Sequence, residues 1–294
     1  MSKFFQALEK AEQDRALRPD VGRRVEAERS GWEAPDFTLS PTRSGETTVR
    51  RDVASREQNA TGIDDEGLEE HLVSLLSPSS FEAEQYRTLS HLVERLRMTN
   101  AVAVLGISSA GDGEGKTVTA VNLAGALAQD LRNRVLLLEA DLRRPTLAKY
   151  LGLSDSEQGL SQALVRPGLG LIEATTSLRE AGFDVFVAGH PSANPYETLK
   201  SARVEELFQE ARKHYDYVIV DTPPLIGLPE VRVIEKLIDG LFVVVRAHRT
   251  SRPLLEEALR QIDPTKVIGV VFNEDDQLRS GHGRYYARRN GGHA

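Results

Sequence analysis

Residues 108–117 read Ser108-Ser109-Ala110-Gly111-Asp112-Gly113-Glu114-Gly115-Lys116-Thr117, and the fold is decided there. An apolar run from Ala101 to Ile107 leads in, and a helical pattern from Val118 to Leu131 leads out. Strand, glycine-rich turn, Lys-Thr and helix form the context in which a phosphate-binding loop makes physical sense. Glycines at 111, 113 and 115 let backbone N–H groups converge on phosphate oxygens without side-chain obstruction. The helix behind them turns the positive end of its dipole toward the anion. Lys116 is then expected at the β- and γ-phosphates, and the Thr117 hydroxyl at Mg²⁺. The expected nucleotide contacts run through Gly111, Asp112, Gly113, Glu114, Gly115, Lys116, Thr117 and Val118. One position departs from the usual spacing: Ala110 stands where Gly is common.

The 294 residues allow one large domain or two small ones. A hydrophobic content of 40% is enough for a core, while a mean hydropathy of -0.35 implies much exposed chain. With no cysteine, disulfide and thiol chemistry are excluded, which suits a reducing compartment. No apolar run approaches the ~20 residues that span a bilayer, and the start, Met1 to Gln6, lacks the apolar core of a signal peptide. A net charge of -7 argues against a general nucleic-acid surface.

Residues 2–17 carry Phe4, Leu8 and Ala11 at helical spacing, which suits either a docking helix or a short frayed one. Residues 18–66 are polar and aperiodic, the composition of a disordered arm, with Trp32 and Phe37 isolated in it. From Gly67 the pattern sharpens. Leu68, Leu72, Leu75 and Leu76 predict a short helix. Ser80 predicts the cap of another over 81–97, with Leu89, Leu92, Val93 and Leu96 as its stripe. Glu84 and Arg87 share a face of that helix and can pair locally.

Val135 to Leu138 reads as a buried parallel strand, ending in Glu139-Ala140-Asp141-Leu142-Arg143-Arg144-Pro145. Alternation puts Glu139 and Asp141 on one side of it. Strand carboxyl ends form the ligand crevice of an open α/β sheet, so these acids are expected near the phosphates. Short helices are expected over 147–153 and 160–165, a strand over 183–187, a rigid loop over 188–195 and a helix over 203–213. Tyr217 to Val220 forms another strand and delivers Asp221 to its end, where a Mg²⁺-organising carboxylate belongs. Strands over 241–245 and 267–272 flank a helix over 252–262. The expected fold is therefore α/β: a P-loop NTPase with a doubly wound, mainly parallel sheet flanked by helices.

Taken together these residues resemble the bacterial tyrosine autokinases of capsular and exopolysaccharide synthesis, from about Gly67 to Asn273. Ser109 to Thr117 looks like that family's Walker A loop, Leu138 to Pro145 its Walker A′ motif, and Val218 to Pro224 its Walker B. Ala188-Gly189, Asn194-Pro195, Val245-Arg246 and Val270 to Asn273 also fit. The resemblance implies transfer of the ATP γ-phosphoryl group, with Mg²⁺, to tyrosines near the chain's own C-terminus; here these are Tyr285 and Tyr286. It implies Lys116, Asp141, Glu139 and Arg143 as catalytic residues, Thr117, Asp221 and Asp141 as metal-organising ones, and Asn273 at the nucleotide. It further implies a homo-oligomer that phosphorylates its own tail in trans. Its partner would be an inner-membrane polysaccharide co-polymerase, with the chain cytoplasmic and peripheral to that membrane. No nucleic acid is implied. The domain division is then 1–66 as an arm with a possible short helix, 67–273 as the kinase domain and 274–294 as a flexible tail.

Glu139 stands where the family has Asp, which leads to the expectation that Glu139→Asp raises activity. Ser90 stands where a third interface residue, Arg, is usual, and the tyrosine tail is short. Two other classes share the motifs. A partition ATPase typically carries a second Lys at the position of Gly111. A non-catalytic nucleotide-binding scaffold gating an export complex would need no acceptor tyrosines.

Overall fold

The computed structural model describes residues 68–153, 158–166 and 168–275, together with the backbone of Ala60–Thr61. The strands are β1 (Ala60–Thr61), β2 (Val104–Ser109), β3 (Val135–Glu139), β4 (Thr176–Leu178), β5 (Phe183–Phe186), β6 (Tyr217–Asp221), β7 (Gly240–Arg246) and β8 (Val267–Asn273). They form one sheet in the order β1-β4-β5-β3-β6-β2-β7-β8. Among the described strands only the β4–β5 pairing is antiparallel.

Parallel neighbours require crossovers, and helices supply them on both faces. Side chains therefore alternate between two apolar layers. On one face Leu136, Leu138, Val218, Val220, Leu241 and Val243 pack against α5 (Leu160–Val165), α6 (Leu171–Ala174), α7 (Pro195–Leu199), α8 (Ala202–His214), α9 (Glu230–Leu237) and α10 (Arg252–Leu259). On the other, Leu105, Ile107, Leu137, Ile219, Phe242 and Val244 meet α1 (Val73–Leu76), α2 (Phe81–Asn100), α3 (Lys116–Ala128) and α4 (Leu147–Tyr150). Burial on both faces explains why the central strands read as unbroken apolar runs.

The helix behind the phosphate loop, α3, is buried along nearly its whole length. Its Asn122 ties the helical layer down: Oδ1 accepts from Ser74 N, and Nδ2 donates to His71 O and Val118 O. Ser80 caps α2 as expected, its hydroxyl accepting from Ala83 N. Glu84 and Arg87 form the expected local pair. Ser90 is buried and donates to Arg87 O, so position 90 faces inward.

Several expectations are corrected. Val93 is buried as expected and Leu89 and Leu96 pack against the core, but Leu92 is exposed, and Ala83 and Ser90 are buried on α2 instead. The span 18–66, expected without structure, contains β1, which pairs with β4 through backbone groups and so needs no apolar pattern. Helices α6, α7 and α9 and strand β4 were not foreseen. The amphipathic pattern at 2–17, Trp32, Phe37 and the tyrosine pair lie outside the described residues.

Candidate active site

Register brings the motifs to one edge of the sheet. β6 lies between β2 and β3, pairing Ile107 with Asp221 and Asp221 with Glu139. The phosphate loop leaves β2 at that edge, so its Lys-Thr faces Asp221 at the end of β6 and Asp141 just beyond the end of β3.

Lys116 Nζ lies 3.2 Å from Asp141 Oδ2 and 3.6 Å from Asp221 Oδ1. The Thr117 hydroxyl donates to Asp221 Oδ2 at 2.7 Å. Asp221 is fully buried, and its Oδ1 has no hydrogen-bond partner among the described residues. Burial pushes this carboxyl up, against the pull of the Lys116 charge and the Thr117 hydroxyl. Burial alone would lower the Lys116 pKa, but Asp221 and Asp141 outweigh it and hold the ammonium above its ordinary value. A cation therefore balances two buried acids at the mouth of the loop.

The loop leaves room for an anion. A side-chain carbon at Gly111 or Gly113 would meet nothing within 4 Å. Gly115 has a φ of 90°, and any side chain there would run into Asn273 Nδ2. Asn273 Nδ2 instead donates to Glu114 O at 3.1 Å. The Glu114 carboxylate turns back into its own loop, accepting from Ala110 N at 2.8 Å and Gly111 N at 3.2 Å. Open space above free-standing glycines, a helix behind them, and a buried acid whose Oδ1 has the Lys116 ammonium nearby but no hydrogen bond among the described residues fit a phosphate chain and its divalent cation.

Glu139 is placed differently from Asp141. Its carboxylate accepts from Thr146 N at 2.6 Å, Leu147 N at 2.8 Å and Ala188 N at 2.9 Å. It thus ties the start of α4 to the loop after β5. Burial raises its carboxyl to about 7, against the lowering effect of those amides. Asp141 Oδ1 accepts from Arg144 N, and the Arg144 side chain reaches Asp112 Oδ2 across the loop mouth at 2.8 Å. Arg143 points to α9, with Nη2 2.7 Å and Nε 2.8 Å from Glu230 Oε1.

Lys116, Thr117, Asp141 and Asp221 are thus brought together, and Glu114 and Asn273 meet beside the loop. Glu139 and Arg143 turn to structural partners close by. Sequence reasoning missed Glu230 and Thr250. Thr250 donates to Glu114 Oε1 at 2.6 Å, and neither residue sits in a motif that announces it.

A family model described as ParA, NUBPL iron-transfer P-loop NTPase, matches residues 100–280. Tyrosine-protein kinase YwqD of Bacillus subtilis is 30% identical over 224 residues, covering 76% of this chain and 93% of the relative. The putative tyrosine-protein kinase AmsA of Erwinia amylovora is 32% identical over 207 residues, 69% of this chain but 28% of that longer protein. Among solved structures, the kinase domain of Escherichia coli tyrosine kinase ETK superposes with a TM-score of 0.64 at 27% identity. That match covers 69% of this chain and 79% of that one. With the family model matching more than half of the chain and a relative 30% identical over 76% of it, the chain belongs to the bacterial tyrosine autokinases, a branch of the ParA-type P-loop NTPases.

Proposed function

We propose that this site transfers the γ-phosphoryl group of ATP to tyrosine hydroxyls of the protein's own C-terminal segment, and that the activity regulates polymerisation and export of an exopolysaccharide or capsule. ATP and Mg²⁺ use follows from family membership. The observation that carries the reading is Lys116 held between Asp141 and Asp221 at the open mouth of the loop. In this reading Gly111 to Val118 cradle the phosphates, and Asn273 borders the nucleotide.

Thr117 and Asp221, with Asp141 beside them, would hold Mg²⁺, which when bound neutralises phosphate charge and orients the chain for in-line transfer. Lys116 leaves its carboxylate partners for the phosphoryl oxygens and stabilises charge developing there. Asp141 accepts the tyrosine proton; a loose transition state needs little prior deprotonation, so positioning dominates. Glu139 supports Asp141 by tying the start of α4, which follows it, to the loop after β5, and Arg143 borders the site from its anchor on Glu230.

Residues 67–273 are the kinase domain in this reading, 1–66 an arm, and 274–294 the acceptor tail with Tyr285 and Tyr286. The partner is an inner-membrane polysaccharide co-polymerase that brings a cytoplasmic homo-oligomer to the membrane. Supporting this, no helix among the described residues is long and apolar enough to cross a membrane. Incubation with Mg·ATP, with and without such a partner, followed by phosphotyrosine mass spectrometry, tests the reading. ATP turnover with no phosphotyrosine would favour an ATPase, and binding with no turnover a scaffold.

A further inference from the structure

We infer that Thr250 is a positioning residue for the phosphate loop, acting through Glu114, and that it sets the affinity for the nucleotide's β- and γ-phosphates. The inference rests on the nucleotide reading above and adds a residue that no motif contains.

The argument starts from Glu114, a carboxylate only 6% exposed inside a loop built to receive anions. A buried charge is tolerated only when its oxygens are satisfied. Oε2 takes the Ala110 and Gly111 amides, which bends the start of the loop back on itself. Oε1 takes the Thr250 hydroxyl at 2.6 Å. That hydroxyl is itself fixed, because it accepts from Arg246 N at 2.9 Å while Thr250 N donates to Arg246 O. Thr250 therefore hangs rigidly from the end of β7.

A second grip acts on the same residue from β8. Asn273 Nδ2 donates to Glu114 O, and Asn273 O accepts from Ala247 N, joining the two strand ends. Glu114 is thus held by its side chain from β7 and by its carbonyl from β8. The next residue, Gly115, starts the amide run that leads into Lys116 and Thr117. Fixing Glu114 preorganises that run, and preorganised amides bind phosphate without a further ordering cost.

A hydroxyl that only packs can be replaced by a methyl group of the same shape. One that orients a buried carboxylate cannot, and Thr250→Val makes that replacement. Mg·ATP affinity is measured by calorimetry and steady-state kinetics are run on the full chain, with AMP as a probe lacking the β- and γ-phosphates. Thr250→Val is expected to raise the Kd and KM for Mg·ATP about tenfold, with kcat at saturating ATP within about twofold. AMP affinity stays within about twofold, and Thr250→Ser behaves as wild type. In a Glu114→Ala background, Thr250→Val adds less than about twofold, because its route to the loop is already cut.

Equal losses for AMP and ATP would make Thr250 a direct contact of base or ribose and overturn the inference. So would failure of Ser to rescue, or a fall in kcat at unchanged KM. If wild type binds Mg·ATP and Thr250→Val binds it equally well, the inference fails while the nucleotide reading stands. If wild type itself binds no Mg·ATP, both fail.

Discussion

The Thr117 hydroxyl and Asp221 Oδ2 are joined by a 2.7 Å hydrogen bond between the first turn of α3 and the end of β6. This bond ties the phosphate loop's helix to a carboxylate whose other oxygen lies 3.6 Å from Lys116 Nζ and takes no hydrogen bond among the described residues. Asp221→Ala is expected to weaken Mg²⁺-dependent ATP binding about tenfold or more while leaving the fold intact, since it also removes a buried charge. Calorimetric titration with and without Mg²⁺ checks this. Equal ATP affinity in both conditions for wild type and variant would remove Asp221 from the metal site.

Lys116→Met should abolish phosphoryl transfer, and it has a second consequence. Lys116 balances Asp141 and Asp221, both at least nine-tenths buried, so its loss leaves two uncompensated carboxylates. The unliganded variant is expected to be about 3 kcal/mol less stable, and Mg²⁺ should restore part of that loss. Urea unfolding with and without Mg²⁺ reads the effect. A variant as stable as wild type, and indifferent to Mg²⁺, would show that the lysine does not perform this balancing.

Glu139 reverses an expectation. Read as a misplaced catalytic acid, it calls for Asp to improve activity. Its two oxygens are instead occupied by the amides of Thr146, Leu147 and Ala188. An aspartate is one methylene shorter and cannot reach both sides. Glu139→Asp is therefore expected to cost about 1–3 kcal/mol of stability and to lower autophosphorylation. Paired measurements of thermal midpoint and phosphotyrosine yield decide; an active, fully stable Asp variant would restore the catalytic view.

What was legible, and what was not, divides by physical distance along the chain. The loop, Lys116, Thr117, Asp141 and Asp221 were legible because glycine spacing and apolar runs mark strand ends locally, and parallel sheets gather such ends on one edge. The partners Arg143–Glu230 and Thr250–Glu114 are 87 and 136 residues apart and follow no period. Strand β4 has three residues, too few for alternation to register. Leu92 misled because the face α2 shows its helical layer carries Ala83 and Ser90 beside Val93, and small or polar residues carry no apolar signal.

Acid should reveal the anchor at the opposite end of β2. Asp239 accepts from Ala103 N at 2.9 Å, Val104 N at 2.8 Å and Arg212 Nη2 at 2.7 Å. Burial opposes the charge, but Arg212 and these amides prevail and hold the carboxyl below 3.8. Because the folded value lies below the unfolded one, its stabilisation is present above the unfolded pKa and lost as pH falls through the folded pKa. Asp239→Asn is expected to cost about 2 kcal/mol near neutral pH, with the gap closing in acid below that range. Urea midpoints across the acid range check the sign; a gap that widens in acid would contradict it.

The last prediction concerns Tyr285 and Tyr286, which follow the last strand after Ser280-Gly281-His282-Gly283. Asn273, where β8 ends, is bonded to the phosphate loop through Glu114 O, so the last described strand ends beside that loop. The run from Leu278 to Tyr285 can extend ~3.3 Å per residue, which gives the tyrosines reach away from their own domain. Arg284, Arg288 and Arg289 give the segment positive charge, complementary to the exposed Asp112 at the mouth of the loop. Phosphorylation adds roughly -1.5 to -2 charge per tyrosine, turning attraction toward repulsion and releasing the segment. The expected acceptors are therefore Tyr285 and Tyr286, modified in trans, with assembly loosened afterwards. Mixing a Lys116→Met chain with an active chain lacking residues 278–294 isolates transfer between chains, because only the inactive chain then carries the tyrosine pair. Phosphate on its Tyr285 and Tyr286, and a smaller assembly by light scattering, is the expected result. An inactive chain left unmodified there, with phosphotyrosine found elsewhere, would mean that these tyrosines are not what the site acts on between chains.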